Sequence, residues 1–207
     1  MTQQASPRVR WLEETVQGDR ILDIGYVGEY EESTTHNRIA KGNPDSTLVG
    51  VDVKPAVAER VVDTAVRGDL FRLPFEADSF DSVVFAEVLE HLSEPVAALE
   101  SIAYVLEPGG RLYLTTPNPF SLYRYLRHYF LSRNLDPEFY LGADDHVQFL
   151  DPLSLSNLLK MSGYSIEECT FRNVSLPRSP SLPDWDVLKY FPFTRVGSYT
   201  CIVAVLV

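Results

Sequence analysis

The sequence predicts a doubly wound α/β domain, because short apolar strands alternate with amphipathic helices through its first two-thirds. The strands read as continuous apolar runs rather than alternating ones, as a parallel sheet covered on both faces requires. Polar residues and glycines collect directly after those runs, where open α/β sheets carry their ligands. The 207 residues are read as one domain, with inserts at about 117–150 and 172–197. A chain of this length buries enough surface to fold without a disulfide or a metal.

Arg8 to Val16 is a short helix leading into the first strand, Arg20-Ile21-Leu22-Asp23-Ile24. A polar stretch with Ser33, Thr34, Thr35, His36 and Asn37 separates it from the second strand, Leu48-Val49-Gly50-Val51-Asp52. A weaker third strand lies near Thr64 to Arg67 and is closed by Gly68-Asp69. Ser82-Val83-Val84-Phe85 is the fourth and Arg111-Leu112-Tyr113-Leu114-Thr115 the fifth. Between them Val96, Leu99, Ala103 and Leu106 recur at helical spacing, and Pro108-Gly109-Gly110 stops that helix. Asp151 is the N-cap of a further helix with Pro152 at its first position, a buried stripe of Leu155, Leu158 and Leu159, and Gly163 at its end. Strands at about Ser165 to Phe171 and Ser198 to Val207 close the chain, separated by a surface loop rich in proline (Pro177, Pro180, Pro183, Pro192).

Hydrophobic residues at 45% and charged residues at 23% exclude a disordered or fibrous protein. Eighteen Lys and Arg against 29 Asp and Glu give a net charge of −11, which repels a phosphate backbone and argues against nucleic acid as a partner. Cys169 and Cys201 form no CxxC and sit near no His pair, so no metal site is expected and both are read as buried, reduced thiols. Met1-Thr2-Gln3-Gln4 lacks the features of a signal peptide, and the longest apolar run, Cys201 to Val207, is too short to span a bilayer. A cytoplasmic location is the expectation.

The strand ends carry the chemistry. After the first strand comes Asp23-Ile24-Gly25-Tyr26-Val27-Gly28-Glu29, after the second Asp52-Val53, after the third Asp69-Leu70. The fourth is followed by Glu87-Val88-Leu89-Glu90-His91-Leu92 and the fifth by Thr116-Pro117-Asn118-Pro119. Together with Leu73-Pro74-Phe75, Phe80-Asp81-Ser82-Val83 and Leu106-Glu107-Pro108-Gly109-Gly110, this series resembles the class I S-adenosylmethionine-dependent methyltransferases of the small-molecule type, over about residues 20 to 170. The resemblance implies a seven-stranded, mostly parallel Rossmann-like sheet with the last strand antiparallel and helices on both faces. It also implies S-adenosylmethionine as cofactor, with Asp23 and Gly25 at its methionine end, Asp52 on the ribose, Asp69 and Leu70 at the adenine, and Glu87 alongside. Tyr26 and Val53 complete the expected cofactor set, and His91 falls nearer the substrate.

The family's turn after the first strand has three glycines at alternate positions. Here only Gly25 keeps that register: Val27 and Glu29 replace the other two, and Gly28 is displaced. Asp23 to Asp52 is also about ten residues longer than the roughly twenty typical of such a unit, and His36 in the extra segment is a candidate substrate contact. Each residue has a plainer reading as well. Asp23 and Asp52 can cap helices, Asp69 can make an Asx turn, and His91 can be a solvated helix-start residue. His146, in Asp144-Asp145-His146-Val147-Gln148-Phe149, either faces the mouth of the site or lies in a surface loop, and His128 is read as surface. The aromatic, locally basic run Phe120 to Leu131 is read as a lid over the pocket, with weak contact to a membrane surface as the alternative.

Methyl transfer from a sulfonium is an in-line displacement on an activated carbon, so holding the partners in line is the main task. A hydroxyl acceptor gains from a base, and His146, then His91, are the candidates for it. The expected activity is methylation, at oxygen, of a small molecule or a sugar-containing (glycan) intermediate. Gly25-Tyr26-Val27-Gly28 does not supply the G-x-G-x-x-G of a nicotinamide dehydrogenase. Ala86-Glu87-Val88-Leu89 is not the Asn/Asp-Pro-Pro-aromatic motif of enzymes that methylate nucleic-acid amino groups. The non-enzymatic alternative is a degenerate domain that binds a partner protein, which Val27 and Glu29 keep open. Oligomeric state is not legible.

Overall fold

The computed structural model describes residues 5–27, 34–54, 64–121, 146–172 and 197–207. Its centre is a seven-stranded sheet of β1 (Arg20–Ile24), β2 (Thr47–Asp52), β3 (Ala65–Arg67), β4 (Phe80–Ala86), β5 (Leu106–Pro117), β6 (Tyr164–Arg172) and β7 (Tyr199–Leu206), in the order β3-β2-β1-β4-β5-β7-β6. β1 pairs in parallel with both β2 and β4, while β7 runs antiparallel to β5 and to β6. The chain crosses from β3 at one edge back to β4 beside β1, which makes the β1–β4 boundary the switch point of the sheet.

Among the described residues four helices cover it: α1 (Pro7–Thr15), α2 (Thr34–Gly42), α3 (Pro95–Val105) and α4 (Pro152–Met161). Ser6 caps α1 by accepting the Val9 N–H at 3.3 Å, with Pro7 in the first turn, where its missing N–H has no partner to lose. Asp151 caps α4 in the same way, accepting from Leu153 and Ser154 at 2.9 and 3.2 Å.

The continuous apolar strands are explained by the two layers. Along β4 and β5, Val83, Phe85, Leu112 and Leu114 join a core with Leu99 and Ile102 of α3 and Leu155 and Leu159 of α4. Their neighbours Val84 and Tyr113 point the other way, into a core with Trp11 and Leu12 of α1 and Ile39 of α2. Successive strand residues face opposite sides, so the central strands, buried on both sides, are apolar along most of their length, and the few polar residues they bury, such as Ser82 and Thr115, are hydrogen-bonded.

From Thr34 the polar stretch forms α2, whose Ile39 is fully buried. Two expectations are corrected. Pro108-Gly109-Gly110 does not end α3, which stops at Val105; the three residues lie inside β5, beside a register shift against Phe80 and Ser82. Leu106 still donates its N–H to Ile102 while its own backbone is already extended, so the chain passes from helix to strand with no loop. Cys201 is buried, but Cys169 on the outer strand β6 is exposed, and no disulfide joins them although Cys201 pairs with Thr170, the next residue. No helix among the described residues is long and apolar enough to cross a membrane. The Pro-rich segment, His128, and nearly all of the 120–131 run lie outside the described residues, as do Gly28 and Glu29.

Candidate active site

The polar strand ends meet at the switch point. Asp23 on β1 is buried, and β1 turns at Gly25, whose φ is +76°. A Cβ there would stand 2.6 Å from Val88 Cγ2, so this position takes glycine for both reasons. Asp52, at the end of β2, folds over the same turn: its Oδ2 accepts the Val27 N–H at 3.3 Å and its Oδ1 the Lys54 N–H at 3.0 Å. Tyr26 is buried against Gly50, whose added Cβ would lie 2.7 Å from the ring. Val53 is exposed. Asp69 makes the Asx turn of its plainer reading, accepting the Phe71 N–H at 3.0 Å, and Leu70 beside it is buried.

At the end of β4, Glu87 adopts φ +57°, unusual for a residue with a side chain. Its N–H bonds to the Thr115 carbonyl at 2.9 Å, and Thr115 Oγ1 donates to Glu87 Oε1 at 3.0 Å. Burial pushes the Glu87 carboxyl up to about 7, the Arg8 guanidinium opposing and the Glu90 carboxylate adding to the rise. Arg8, from α1, reaches Thr115 Oγ1 at 3.5 Å and stacks over Tyr199 at 5.3 Å.

A single 3-10 turn, Leu89–His91, follows. Gln148 donates its side-chain amide to the Leu89 and Leu92 carbonyls at 3.1 and 2.9 Å, and Val147 donates its N–H to Glu90 at 3.0 Å. These bonds pin the segment before α4 to the turn and bring His146 to His91, ring centroids 4.7 Å apart, with Phe149 on the far side at 5.5 Å. Glu90, fully buried, accepts from Thr116 Oγ1 at 3.2 Å. One ligating atom each from Glu90, His91 and His146 fall within 4.8 Å of one another, a donor set suited to base chemistry or to a divalent metal that the linear sequence did not bring together.

His36 is not placed as an exposed substrate contact. It is 1% exposed, and its Nδ1 lies 2.9 Å from Asp23 Oδ2. The signal for this was the apolar spacing of Ile39 and Ala40 after His36, which marks a helix face turned inward. Burial raises the Asp23 carboxyl, and the hydrogen bond from His36 holds it back.

This arrangement, acidic strand ends around a tight turn at the switch point of a 3-2-1-4-5-7-6 sheet, is that of a nucleotide-type cofactor enzyme. A family model described as a methyltransferase domain matches residues 3–168. The chain is 27% identical over 172 residues to the ubiquinone biosynthesis O-methyltransferase of Coxiella burnetii, across 79% of this chain and 71% of that protein. It is 30% identical over 181 residues to the protein of the same name from Marinobacter nauticus, with the same coverage. Among solved structures it matches an S-adenosylmethionine-dependent methyltransferase from Mesorhizobium loti with a TM-score of 0.62 at 19% identity, over 96% of each chain. The chain belongs to the methyltransferase-domain family, of the class I fold, and its cofactor is S-adenosylmethionine.

Proposed function

We propose that this protein transfers a methyl group to an oxygen of a small molecule, or of a sugar-containing intermediate, and that the two ends of the switch-point cleft divide the work. Asp23, Gly25, Tyr26, Asp52, Val53, Asp69, Leu70 and Glu87 form the cofactor side. The fit is supported by carboxylates at the ends of β1 and β2, and by the buried His36 Nε2 and Tyr26 hydroxyl, which have no hydrogen-bond partner among the described residues. When bound, the cofactor supplies a methyl group already activated on a sulfonium.

The observation that carries the acceptor side is the His91–His146 pair at 4.7 Å beside the buried Glu90. A hydroxyl entering there meets an imidazole able to take its proton, with His146 the first base and His91 the second. The Glu90 carboxylate beside them stabilises the imidazolium that results. Orientation at such a site supplies about 7–11 kcal/mol and the base about 10²–10⁴-fold. The names of the relatives support an oxygen as the accepting atom.

Calorimetry with S-adenosylmethionine and an acceptor screen test both halves. The cofactor binds the wild type and is lost in Asp52→Ala, and His146→Ala lowers kcat at least about 100-fold with the cofactor Kd unchanged. A folded protein that binds no cofactor makes the partner-binding domain the better reading. A histidine variant with full kcat shows that the acceptor needs no base.

A further inference from the structure

Asp23 and His36 form a buried pair at the methionine side of the cleft, 4% and 1% exposed, joined at 2.9 Å. The groups facing it come from three elements. Asp52, from the end of β2, acts on Asp23 as a like charge. Tyr26, from the turn after β1, sets its ring 5.2 Å from the imidazole and buries a hydroxyl with no partner among the described residues. His36 itself comes from α2, and its Nε2 is likewise buried and unpartnered among those residues. Burial and the Asp52 charge raise the Asp23 carboxyl toward keeping a proton, and the hydrogen bond from His36 opposes them. The amino-acid end of S-adenosylmethionine carries an ammonium group, a cation that competes for the same carboxylate.

We infer that His36 is a positioning residue for the cofactor: it orients the Asp23 carboxylate, and the Asp23–His36 pair releases one proton when the cofactor's ammonium group docks against Asp23. The N–H or O–H bond that breaks is the pair's own, its electrons stay on the pair, and the proton passes to solvent. At the Asp23 carboxylate the ammonium group thereby takes the place of the proton, and cofactor affinity rises with pH by up to tenfold per unit while the free pair still holds its proton. This inference rests on the reading of Asp23 as the methionine-end ligand.

The test is calorimetry of the intact chain in buffers of different ionisation enthalpy, between pH 6 and 8. S-adenosylmethionine and S-adenosylhomocysteine, which share the amino-acid end, each release close to one proton per site. 5′-Methylthioadenosine, which lacks that end, binds with no proton release. His36→Asn, whose amide can still donate to Asp23 but cannot titrate, binds S-adenosylmethionine with a flat pH profile. His36→Phe, which removes the donor, binds about tenfold more weakly, and the Asn variant recovers most of that loss. Binding without proton release, or a pH slope unchanged in His36→Asn, overturns the inference. Equal proton release with methylthioadenosine overturns it too, because the proton then comes from the adenosine side. Failure of the folded wild type to bind any of the three ligands removes the cofactor reading underneath it instead.

Discussion

Glu87 links the fold to the chemistry of the cleft, and its ionisation has a consequence for stability that can be measured without a substrate. In the folded protein its carboxyl is raised from 4.5 to about 7, first by burial and then by Glu90, against the lowering influence of Arg8, the Thr115 hydroxyl and His91. The folded state therefore holds this proton through a range in which the unfolded chain has released it. The contribution to stability is complete below about 4.5 and is lost as pH rises through about 7. A rise of about 2.5 units corresponds to about 3.4 kcal/mol at 1.36 kcal/mol per unit. Glu87 is only half-buried, so solvent screens part of this and we expect about 2 kcal/mol in practice. Glu87→Gln keeps the shape and still accepts from Thr115 Oγ1, but it has nothing to ionise. Urea unfolding of both proteins at pH 5, 6, 7 and 8 should show similar stabilities at pH 5. By pH 8 the variant should be ahead by about 2 kcal/mol, a factor of about 30 in the folding constant. Parallel stability profiles across that range would refute the argument, since they would mean that Glu87 ionises in the folded protein as it does in the unfolded chain.

Gly25→Ala should destabilise the protein by about 1–3 kcal/mol and weaken cofactor binding, because it combines a φ of +76° with a contact of 2.6 Å to Val88 Cγ2. An unchanged urea midpoint would show that the turn relaxes at no cost. A thiol reagent should label Cys169 in the native protein, and Cys201, whose thiol burial pushes well above its ordinary range, only once the chain unfolds. Rapid labelling of both would place Cys201 outside the core.

The fold was legible because its strands must be apolar on both faces, a requirement that leaves a trace in single residues. Ile21 and Leu22, or Val83 and Val84, stand side by side in sequence and end in different cores. A half-exposed sheet would have placed a polar residue in every second position. The same requirement made the cofactor side legible. A strand buried on both sides carries a carboxylate most readily near its end, which is why Asp52 and Asp23, at the ends of β2 and β1, stand out as candidates by position. What could not be read was anything that depends on one helix meeting another segment. α2 carries few apolar residues, and the polar surface of its sequence hid a histidine that the fold turns inward onto Asp23.

The meeting of His91 and His146 has the same character. Fifty-five residues separate them, and what joins them is a glutamine side chain bonded to two main-chain carbonyls at a 3-10 turn, together with the Val147 and Gln148 N–H groups bonded to the Glu90 carbonyl. No hydrophobic period reports such a bond, because its donor and acceptors are polar groups that satisfy one another inside the protein. This also bears on how the cleft divides its labour. The proposed cofactor side stands on strand ends, whose positions are set by the sheet ladder. The proposed acceptor side stands on a turn and on the segment before α4, held by the two Gln148 side-chain bonds and two main-chain bonds to the Glu90 carbonyl. A family that keeps one cofactor and changes acceptors would need that division: Gln148 can be altered to move His146 without disturbing any strand register, whereas Asp52 cannot move unless β2 does. Gln148→Ala therefore bears on the acceptor side alone, and a loss of kcat with cofactor affinity intact is the result that this argument requires.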